Sequence, residues 1–278
     1  MIRVAIDAGG TNLRVKIGDE LEPLETMTVH SSDYDGFLDK IFGAIGRHTY
    51  EERVEGIAIS VAGSHDGQAI TACSNLQGWI GRPIVKDLQK RYDCPVYLIR
   101  DIQAMGASEY AARQHPFILA TWDSGVNFGV VLGDDIFSPV MTGPSIIGEG
   151  GHQIIVPGGR QCPCGQQGCL EAYTGGIAME QLYGDPVRRS GEAWQTIVTY
   201  MAQGLQNVIA LTGGKLPIYM SGSVACKQAQ HLPALRMALR SIIKSVPVPR
   251  VEIARYREDA GLNGAARILE CQLRTGRF

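Results

Sequence analysis

The chain has 278 residues, of which 45% are hydrophobic and 19% charged, and its formal net charge is -2. These values are typical of a globular protein with a sizeable core, and they exclude an intrinsically disordered chain. The charge gives no electrostatic reason to bind nucleic acid or an anionic membrane, and no apolar run approaches the ~20 residues of a membrane span. We therefore expect neither nucleic acid nor a membrane as a partner.

The start of the chain and the cysteines bear on the compartment. A strand pattern begins within the first few residues, so we expect no signal peptide and no DNA-binding extension before it. Four of the seven cysteines (Cys73, Cys94, Cys226 and Cys271) are scattered along the chain, as reduced core residues are. We expect a cytoplasmic protein.

The first half of the chain opens with short strand patterns, after which helices and buried strands alternate. Strands are predicted near 2–7, 12–18 and 24–29, then at 54–61 and 95–100, and helices at about 34–45, 84–92 and 102–114. The run at 54–61 is almost continuously apolar, which is typical of a strand that is buried on both faces.

The second half repeats this order of elements. Strands are predicted at 117–122, 127–133 and 136–140, and a glycine-rich insertion follows at about 141–190. A helix around 194–209, a strand at 216–221, a helix at about 230–245, a strand at 250–254 and a final helix at 260–272 complete the chain.

The duplication predicts an α/β protein with two similar domains and a cleft between them, each opening with a hairpin. This is the topology of the actin and hexokinase superfamily, whose domains are ribonuclease-H-like. We place the N-terminal domain at 1–115, joined by the C-terminal helix at 260–278, and the C-terminal domain at 116–259. A single doubly wound sheet is the alternative, but it does not explain why both halves begin with a hairpin.

The first two strands are joined by a turn suited to phosphate. It comprises Asp7, Gly9, Gly10, Thr11 and Asn12. Glycines let the backbone approach a phosphate closely, a threonine hydroxyl can donate to it, and an aspartate can hold Mg²⁺ directly or through water. One such hairpin is weak evidence, but the equivalent turn in the second half, around Ser124 and Gly125, is also polar and contains glycine. Two such turns favour a nucleotide site.

Asp101 follows a buried strand at its carboxyl end, just before a helix. Ligands of α/β sheets bind outside such strand ends. A carboxylate at this position can accept the proton of an attacking sugar hydroxyl as a general base in phosphoryl transfer. Taken alone, Asp101 is equally well explained as a helix cap.

A cysteine cluster follows His152. Cys162, Cys164 and Cys169 lie within eight residues, separated by glycines that allow tight turns. Three thiolates and one imidazole suit tetrahedral Zn²⁺, and four protein ligands would close the site, as in structural zinc centres. A metal-free loop with incidental cysteines is the less favoured alternative.

Together these segments resemble the ROK family of bacterial sugar kinases and sugar-responsive repressors. The resemblance covers the whole chain and rests on six segments: 7–12, 75–79, Asp101, 148–152, 162–171 and 259–266. It implies an ATP-dependent kinase that phosphorylates the 6-hydroxyl of a hexose or an N-acetylhexosamine, as glucokinases and N-acetylmannosamine kinases do, and it suggests a homodimer.

The resemblance also implies roles for individual residues. Asp101 would be the catalytic base. The sugar would contact Gly63, Asn75, Arg100, Asp101, Glu149, His152 and Glu171. ATP and Mg²⁺ would contact Asp7, Gly9, Gly10, Thr11, Asn12, Ser124, Gly125 and Gly222. Zinc would be bound by His152, Cys162, Cys164 and Cys169, and it would hold the sugar pocket rigid without entering the chemistry.

The chain departs from the family pattern on the nucleotide side. Arg100 stands where the family usually has Asn, and the second phosphate turn has Asp123, Asn127 and Phe128 in place of glycine-rich sequence. We expect Asp123 to add negative charge beside the polyphosphate, with Arg100 or Mg²⁺ as the compensating charge, and Asn127 and Phe128 to restrict the backbone. The family's glycine run near the adenosine is replaced here by Ser221, Gly222 and Ser223.

Two functions remain open on the sequence. The retained base favours a kinase. The substitutions at Arg100 and Asp123 favour a sugar-binding sensor that has lost catalysis.

Overall fold

The computed structural model describes residues 1–9, 12–18, 25–28, 33–48, 53–73, 76–132, 149–185, 190–256 and 259–275. The chain divides into two compact units: the first contains the described residues of 1–113 and 259–275, and the second those of 114–132 and 149–256. No helix within these ranges combines the length and the hydrophobicity that crossing a membrane requires.

The elements follow the predicted order wherever prediction and description overlap. They are β1 (Ile2–Ala8), β2 (Asn12–Ile17), β3 (Glu25–Thr28), α1 (Tyr34–His48), β4 (Val54–Val61), β5 (Ser64–His65), β6 (Ile70–Ala72), α2 (Ile84–Tyr92), β7 (Val96–Arg100), α3 (Asp101–Arg113), β8 (Phe117–Trp122), β9 (Val126–Val131), α4 (Glu171–Thr174), α5 (Gly176–Tyr183), α6 (Gly191–Leu211), β10 (Ile218–Ser221), α7 (Ser223–Lys227), α8 (Leu232–Ile242), β11 (Val251–Ile253) and α9 (Ala260–Thr275). Short 3-10 helices occur at Gln77–Trp79, Gly150–His152 and Ala229–His231.

The two main sheets repeat one pattern, as the duplicated sequence predicts. In the first, with the order β3-β2-β1-β4-β7, β1 pairs antiparallel with β2 and parallel with β4. In the second, with the order β11-β10-β8-β9, β8 pairs antiparallel with β9 and parallel with β10. The prediction of an α/β protein with mixed sheets is confirmed.

The two faces of the first sheet differ in side-chain size, and this decides how closely helices pack. Val4 and Ile6 of β1 face the core that α1 and α2 cover, whereas Ala5 faces α3 and α9. The small side chain lets α9 lie close to the sheet and to α3. The closest approach is at Gly264, where a Cβ atom would collide with the carbonyl oxygen of Ala104.

The core of the second unit forms between one sheet face and two long helices. α6 is amphipathic and buries Trp194, Ile197, Met201 and Leu205 in a cluster that includes residues of α8 and of β8–β11. Strands β8 and β10 pair in parallel, so their carboxyl ends and the turns that follow them lie side by side.

Several elements were not predicted. The hairpin β5–β6 was missed because its strands are too short to show a two-residue period. Within the stretch taken as a glycine-rich insertion, the structure has the short helices α4 and α5. The strand predicted at 136–140 lies outside the described residues, and β9 ends at Val131.

Candidate active site and metal centre

Several of the predicted residues lie in strands near their carboxyl ends or just after them. In the first unit, Asp7 lies in β1, Gly63 follows β4 and Asp101 follows β7, and these three strands run parallel in adjacent register. In the second unit, the turn at 123–125 follows β8 and Gly222 follows β10, and Thr121 pairs with Ser221 across these strands. Asn75, Gly10 and Thr11 lie outside the described residues.

Asp7 forms a charged group with two partners. Arg14 Nη2 donates to Asp7 Oδ2 at 2.8 Å, and Arg14 Nη1 donates to Asp259 Oδ1 at 3.1 Å. Burial raises the pKa of Asp7, and the charge of Arg14 opposes that rise. Gly261 lets α9 approach, since a Cβ there would come within 2.5 Å of Asp7 Oδ1.

Arg14 is a site residue that the sequence reasoning missed. It pairs directly with Asp7 across the antiparallel strands β1 and β2. The signal was present, because a tight hairpin between the two strands sets two opposite charges on facing positions. Asn12, by contrast, contributes a backbone contact to the turn, where its carbonyl accepts a hydrogen bond from the Gly9 amide at 2.9 Å.

Asp101 is the first residue of α3. Its Oδ1 accepts a hydrogen bond from the amide of the next residue, Ile102, at 2.6 Å. This contact involves one of the two carboxylate oxygens and is compatible with a second role. The backbone of the neighbouring Arg100 is also fixed, because its amide donates to Gln103 Oε1 at 3.0 Å.

The hairpin β5–β6 lies beside this strand end. Burial and then the nearby charge of Arg100 lower the pKa of His65, so this imidazole is neutral at pH 7. Gly63 begins the hairpin with φ +97°, and a Cβ there would collide with the Ala72 carbonyl oxygen. Only glycine fits at position 63 without strain. After Arg14, His65 is a second residue that the sequence reasoning missed.

In the second turn, the Asp123 carboxylate has partners that the sequence did not reveal. The Asp123 carboxylate accepts hydrogen bonds from the Ser223 hydroxyl at 2.6 Å and from the Ser124 amide at 3.0 Å, both at Oδ1. The structure thus shows Ser223, another departure from the family pattern, as a hydrogen-bond partner of Asp123, and compensation of its charge by Arg100 stays a prediction. The turn closes through the Asp123 amide and the Gly125 carbonyl at 2.9 Å.

Asn127 and Phe128 do not belong to this turn, because β9 already begins at Val126. Phe128 is buried in the core against Gly150. The Asn127 side chain accepts hydrogen bonds from the Phe128 and Gly150 amides through Oδ1. The two residues are therefore part of a strand, and they connect it to the segment that carries His152.

The four predicted metal ligands come together. One ligand atom from each of His152, Cys162, Cys164 and Cys169 lies within 4.8 Å of the others. Cys164 Sγ and Cys169 Sγ are 3.7 Å apart, and Cys162 Sγ is 3.6 Å from His152 Nδ1. A tetrahedral zinc with its usual bond lengths requires separations of about 3.8 Å between sulfurs and about 3.6 Å between sulfur and nitrogen. The donor set and its geometry therefore fit zinc.

Two of the three thiols of this cluster, Cys162 and Cys169, are buried, whereas Cys164 is exposed. Burial raises the pKa of Cys162 to about 12 and also raises that of Cys169. Thiolates form here only when a cation offsets the cost of burial. The loop itself is closed by backbone hydrogen bonds, from the Cys162 amide to Gln166 and from the Gly165 amide to Cys162.

Two carboxylates adjoin the cluster. His152 Nε2, on the side of the ring away from Cys162, lies 3.9 Å from Glu149 Oε2. Glu171 is two residues beyond Cys169, at the start of α4, and its Oε2 accepts a hydrogen bond from the Val126 amide at 2.9 Å. The structure thus places Glu149, His152 and Glu171 around one ligand cluster.

Comparisons with known proteins agree on one family. The pattern of the ROK family matches residues 3–271. The chain is 28% identical to an N-acetylmannosamine kinase of Haemophilus influenzae, over 95% of this chain and 93% of that protein. It is 29% identical to an N-acetylmannosamine kinase of Escherichia coli, over 96% and 97%. Among solved structures, the ROK hexokinase of Thermus thermophilus matches with a TM-score of 0.79 and 26% identity, over 99% of this chain and 100% of that one. The chain belongs to the ROK family.

Proposed function

We propose that this protein is an ATP-dependent sugar kinase that phosphorylates the 6-hydroxyl of a hexose or an N-acetylhexosamine. The observation that carries the proposal is the position of the Asp101 carboxylate, at the carboxyl end of β7 and in register with the strand end that precedes Gly63. The two curated relatives are named as kinases, which favours catalysis over the sensor alternative.

In the proposed reaction, Asp101 accepts the proton of the sugar hydroxyl while the hydroxyl oxygen attacks the γ-phosphorus of ATP. The bond between that phosphorus and the β-γ bridging oxygen breaks, and ADP leaves. Asp7 would hold Mg²⁺, and the charge of Arg14 favours the ionised carboxylate that this requires.

The other residues would bind the two substrates. The proposed sugar contacts are Gly63, Asn75, Arg100, Asp101, Glu149, His152 and Glu171. The proposed nucleotide contacts are Gly9, Gly10, Thr11, Asn12, Ser124, Gly125 and Gly222. His152, Cys162, Cys164 and Cys169 would hold one structural zinc, which fixes His152 Nδ1 and leaves Nε2 to donate to a sugar oxygen.

We further propose that the two compact units are the two domains expected from the duplication, 1–115 with 260–278 and 116–259. We also propose a cytoplasmic homodimer, the homodimer on the resemblance to the family and the compartment on the scattered cysteines, none of which forms a disulfide in the structure.

The proposal is tested by measuring ADP release from ATP and Mg²⁺ by the purified, zinc-loaded protein, with a panel of hexoses and N-acetylhexosamines. We expect at least one sugar of the panel to stimulate ADP release well above the sugar-free rate. Sugar binding without ADP release for every member of the panel would favour the sensor instead.

Asp123 offers a second test on the nucleotide side. Its charge would lie near the phosphates, and the hydrogen bond from the Ser223 hydroxyl fixes the carboxylate at the turn. We expect Asp123→Asn to tighten ATP binding roughly fivefold, because the amide can still accept from Ser223 but carries no charge, and we expect the gain to shrink at high salt. Titration calorimetry with ATP and Mg²⁺ measures the change in ATP affinity.

The matched control is Ser223→Ala, which removes the hydroxyl and keeps the charge of Asp123. It should not tighten ATP binding. Unchanged affinity in Asp123→Asn would show that the carboxylate lies too far from the phosphates to repel them. If Arg100 compensates Asp123 despite the contact with Ser223, the effects of Arg100→Asn and Asp123→Asn will not be additive.

A further inference from the structure

One hydrogen bond connects the proposed sugar site with the proposed phosphate turn. The Val126 amide, just after the turn at 123–125, donates to Glu171 Oε2 at 2.9 Å. The contact depends on Gly125, since a Cβ at that position would collide with Glu171 Oε2. The carboxylate is therefore in van der Waals contact with the turn as well as bonded to it.

Three more hydrogen bonds join the same two segments. The Trp122 ring nitrogen donates to the Thr174 carbonyl at 2.6 Å, the Gly176 amide to the Asp123 carbonyl at 2.8 Å, and the Ile177 amide to the Ser124 carbonyl at 3.1 Å. Together with the bond to Glu171, four hydrogen bonds connect residues 171–177 with residues 122–126. A displacement of Glu171 is thus transmitted to the turn.

Glu171 is also fixed from the other side. Leu170, which precedes it, is fully buried, and its side chain fills the space beside Gly204 of α6. Cys169 belongs to the ligand cluster. The position of the Glu171 carboxylate therefore depends on the cluster and on the turn together, and it has a second oxygen for a sugar hydroxyl.

We infer that Glu171 is the positioning residue through which an occupied sugar site orders the turn at 123–125 for the nucleotide. The inference rests on the proposed function. A sugar hydroxyl that donates to Glu171 restricts the carboxylate, and the restricted carboxylate holds the Val126 amide more firmly. Because coupling between two binding sites is reciprocal, the nucleotide strengthens sugar binding by the same factor.

Two variants separate the two contacts of Glu171. Gly125→Ala displaces the carboxylate from the turn but leaves its charge and its chemistry intact. Glu171→Gln keeps an acceptor for the Val126 amide but removes the charge and one acceptor on the sugar side. Gly191→Ala is the matched control, because a Cβ at Gly191, in the first turn of α6, meets no atom within 4 Å.

The experiment measures hydrogen exchange of the Val126 amide and binding of AMPPNP with Mg²⁺, each with and without N-acetylmannosamine or glucose. In the natural protein and in Gly191→Ala, we expect sugar to slow Val126 exchange and to tighten AMPPNP binding at least fivefold. In Gly125→Ala, Val126 should exchange faster even without ligand, and both sugar effects should fall below twofold. In Glu171→Gln, ligand-free exchange should stay near the natural rate while sugar binding weakens.

The results distinguish this inference from the proposed function. If neither these two sugars nor any other member of the panel binds to the natural protein, both are overturned. If sugar binds and is phosphorylated, but Gly125→Ala keeps the full fivefold coupling, the function stands and the role of Glu171 is wrong. The role of Glu171 would also be wrong if, without ligand, the Val126 amide exchanged as slowly in Gly125→Ala as in Gly191→Ala.

Discussion

Asp101→Asn is expected to lower the rate of phosphoryl transfer by about 10²–10⁴-fold, the usual contribution of a general base. The amide matches the carboxylate in shape, and its carbonyl oxygen can still accept the hydrogen bond from the Ile102 amide, so α3 should begin at the same place. It cannot accept the proton of the sugar hydroxyl. ADP release measures the rate, and calorimetry checks that much of the sugar affinity remains.

A suitable control is Asp93→Asn, which makes the same change at an exposed position before the start of β7, at the opposite end of that strand from Asp101. Its side chain is 97% exposed, and Asn tolerates the left-handed backbone found there. A loss of less than tenfold in Asp101→Asn would contradict the role of general base. A collapse of sugar binding would instead show that Asp101 acts chiefly as a sugar ligand.

Loss of the metal is expected to have the second large effect. We expect one zinc per chain in protein purified without added metal, and a strong loss of zinc in Cys164→Ser. Without the ion, the buried thiols become neutral and no longer hold the loop to His152. The melting temperature should fall, and sugar affinity should fall about tenfold or more, because His152 and Glu171 are misplaced.

Cys226→Ser is the matched control for this experiment, because Cys226 lies in the same unit and outside the cluster. It should retain its zinc and its sugar affinity. Elemental analysis that finds zinc far below one per chain in the natural protein would refute the metal assignment. Sugar affinity unchanged by Cys164→Ser would refute only the link between the cluster and the pocket.

The features that the sequence predicts well are those with a local cause. The continuous apolar run of β4 identifies a strand buried on both faces, and the structure buries seven of its eight residues almost completely. The spacing of Cys162, Cys164 and Cys169 is likewise local, since a short loop with glycines brings the sulfurs together whatever surrounds it. The position of Asp101 between a strand and a helix follows from the same kind of pattern.

The features that the sequence does not predict depend on contacts between distant segments. Asp123 meets Ser223 across 100 residues, and Glu171 meets Val126 across 45. Each pair forms only because parallel strands and a metal-ligand loop bring separate turns together. The sequence therefore predicted Arg100 or Mg²⁺ as the partner of Asp123 and did not reveal the hydroxyl donor that the fold supplies.

The last helix has a consequence for how the protein is made. α9 covers the small-residue face of the first sheet, beside Ala5, Ala58 and Ala104. About 160 residues separate the end of α3 from the end of α9, which takes roughly 10–30 s of translation at 5–20 residues per second. During that interval the nascent first unit has an uncovered apolar face, and the sequence of the second unit is completed before that of α9. On the ribosome, the part of the chain synthesised first is therefore the part that finishes folding last.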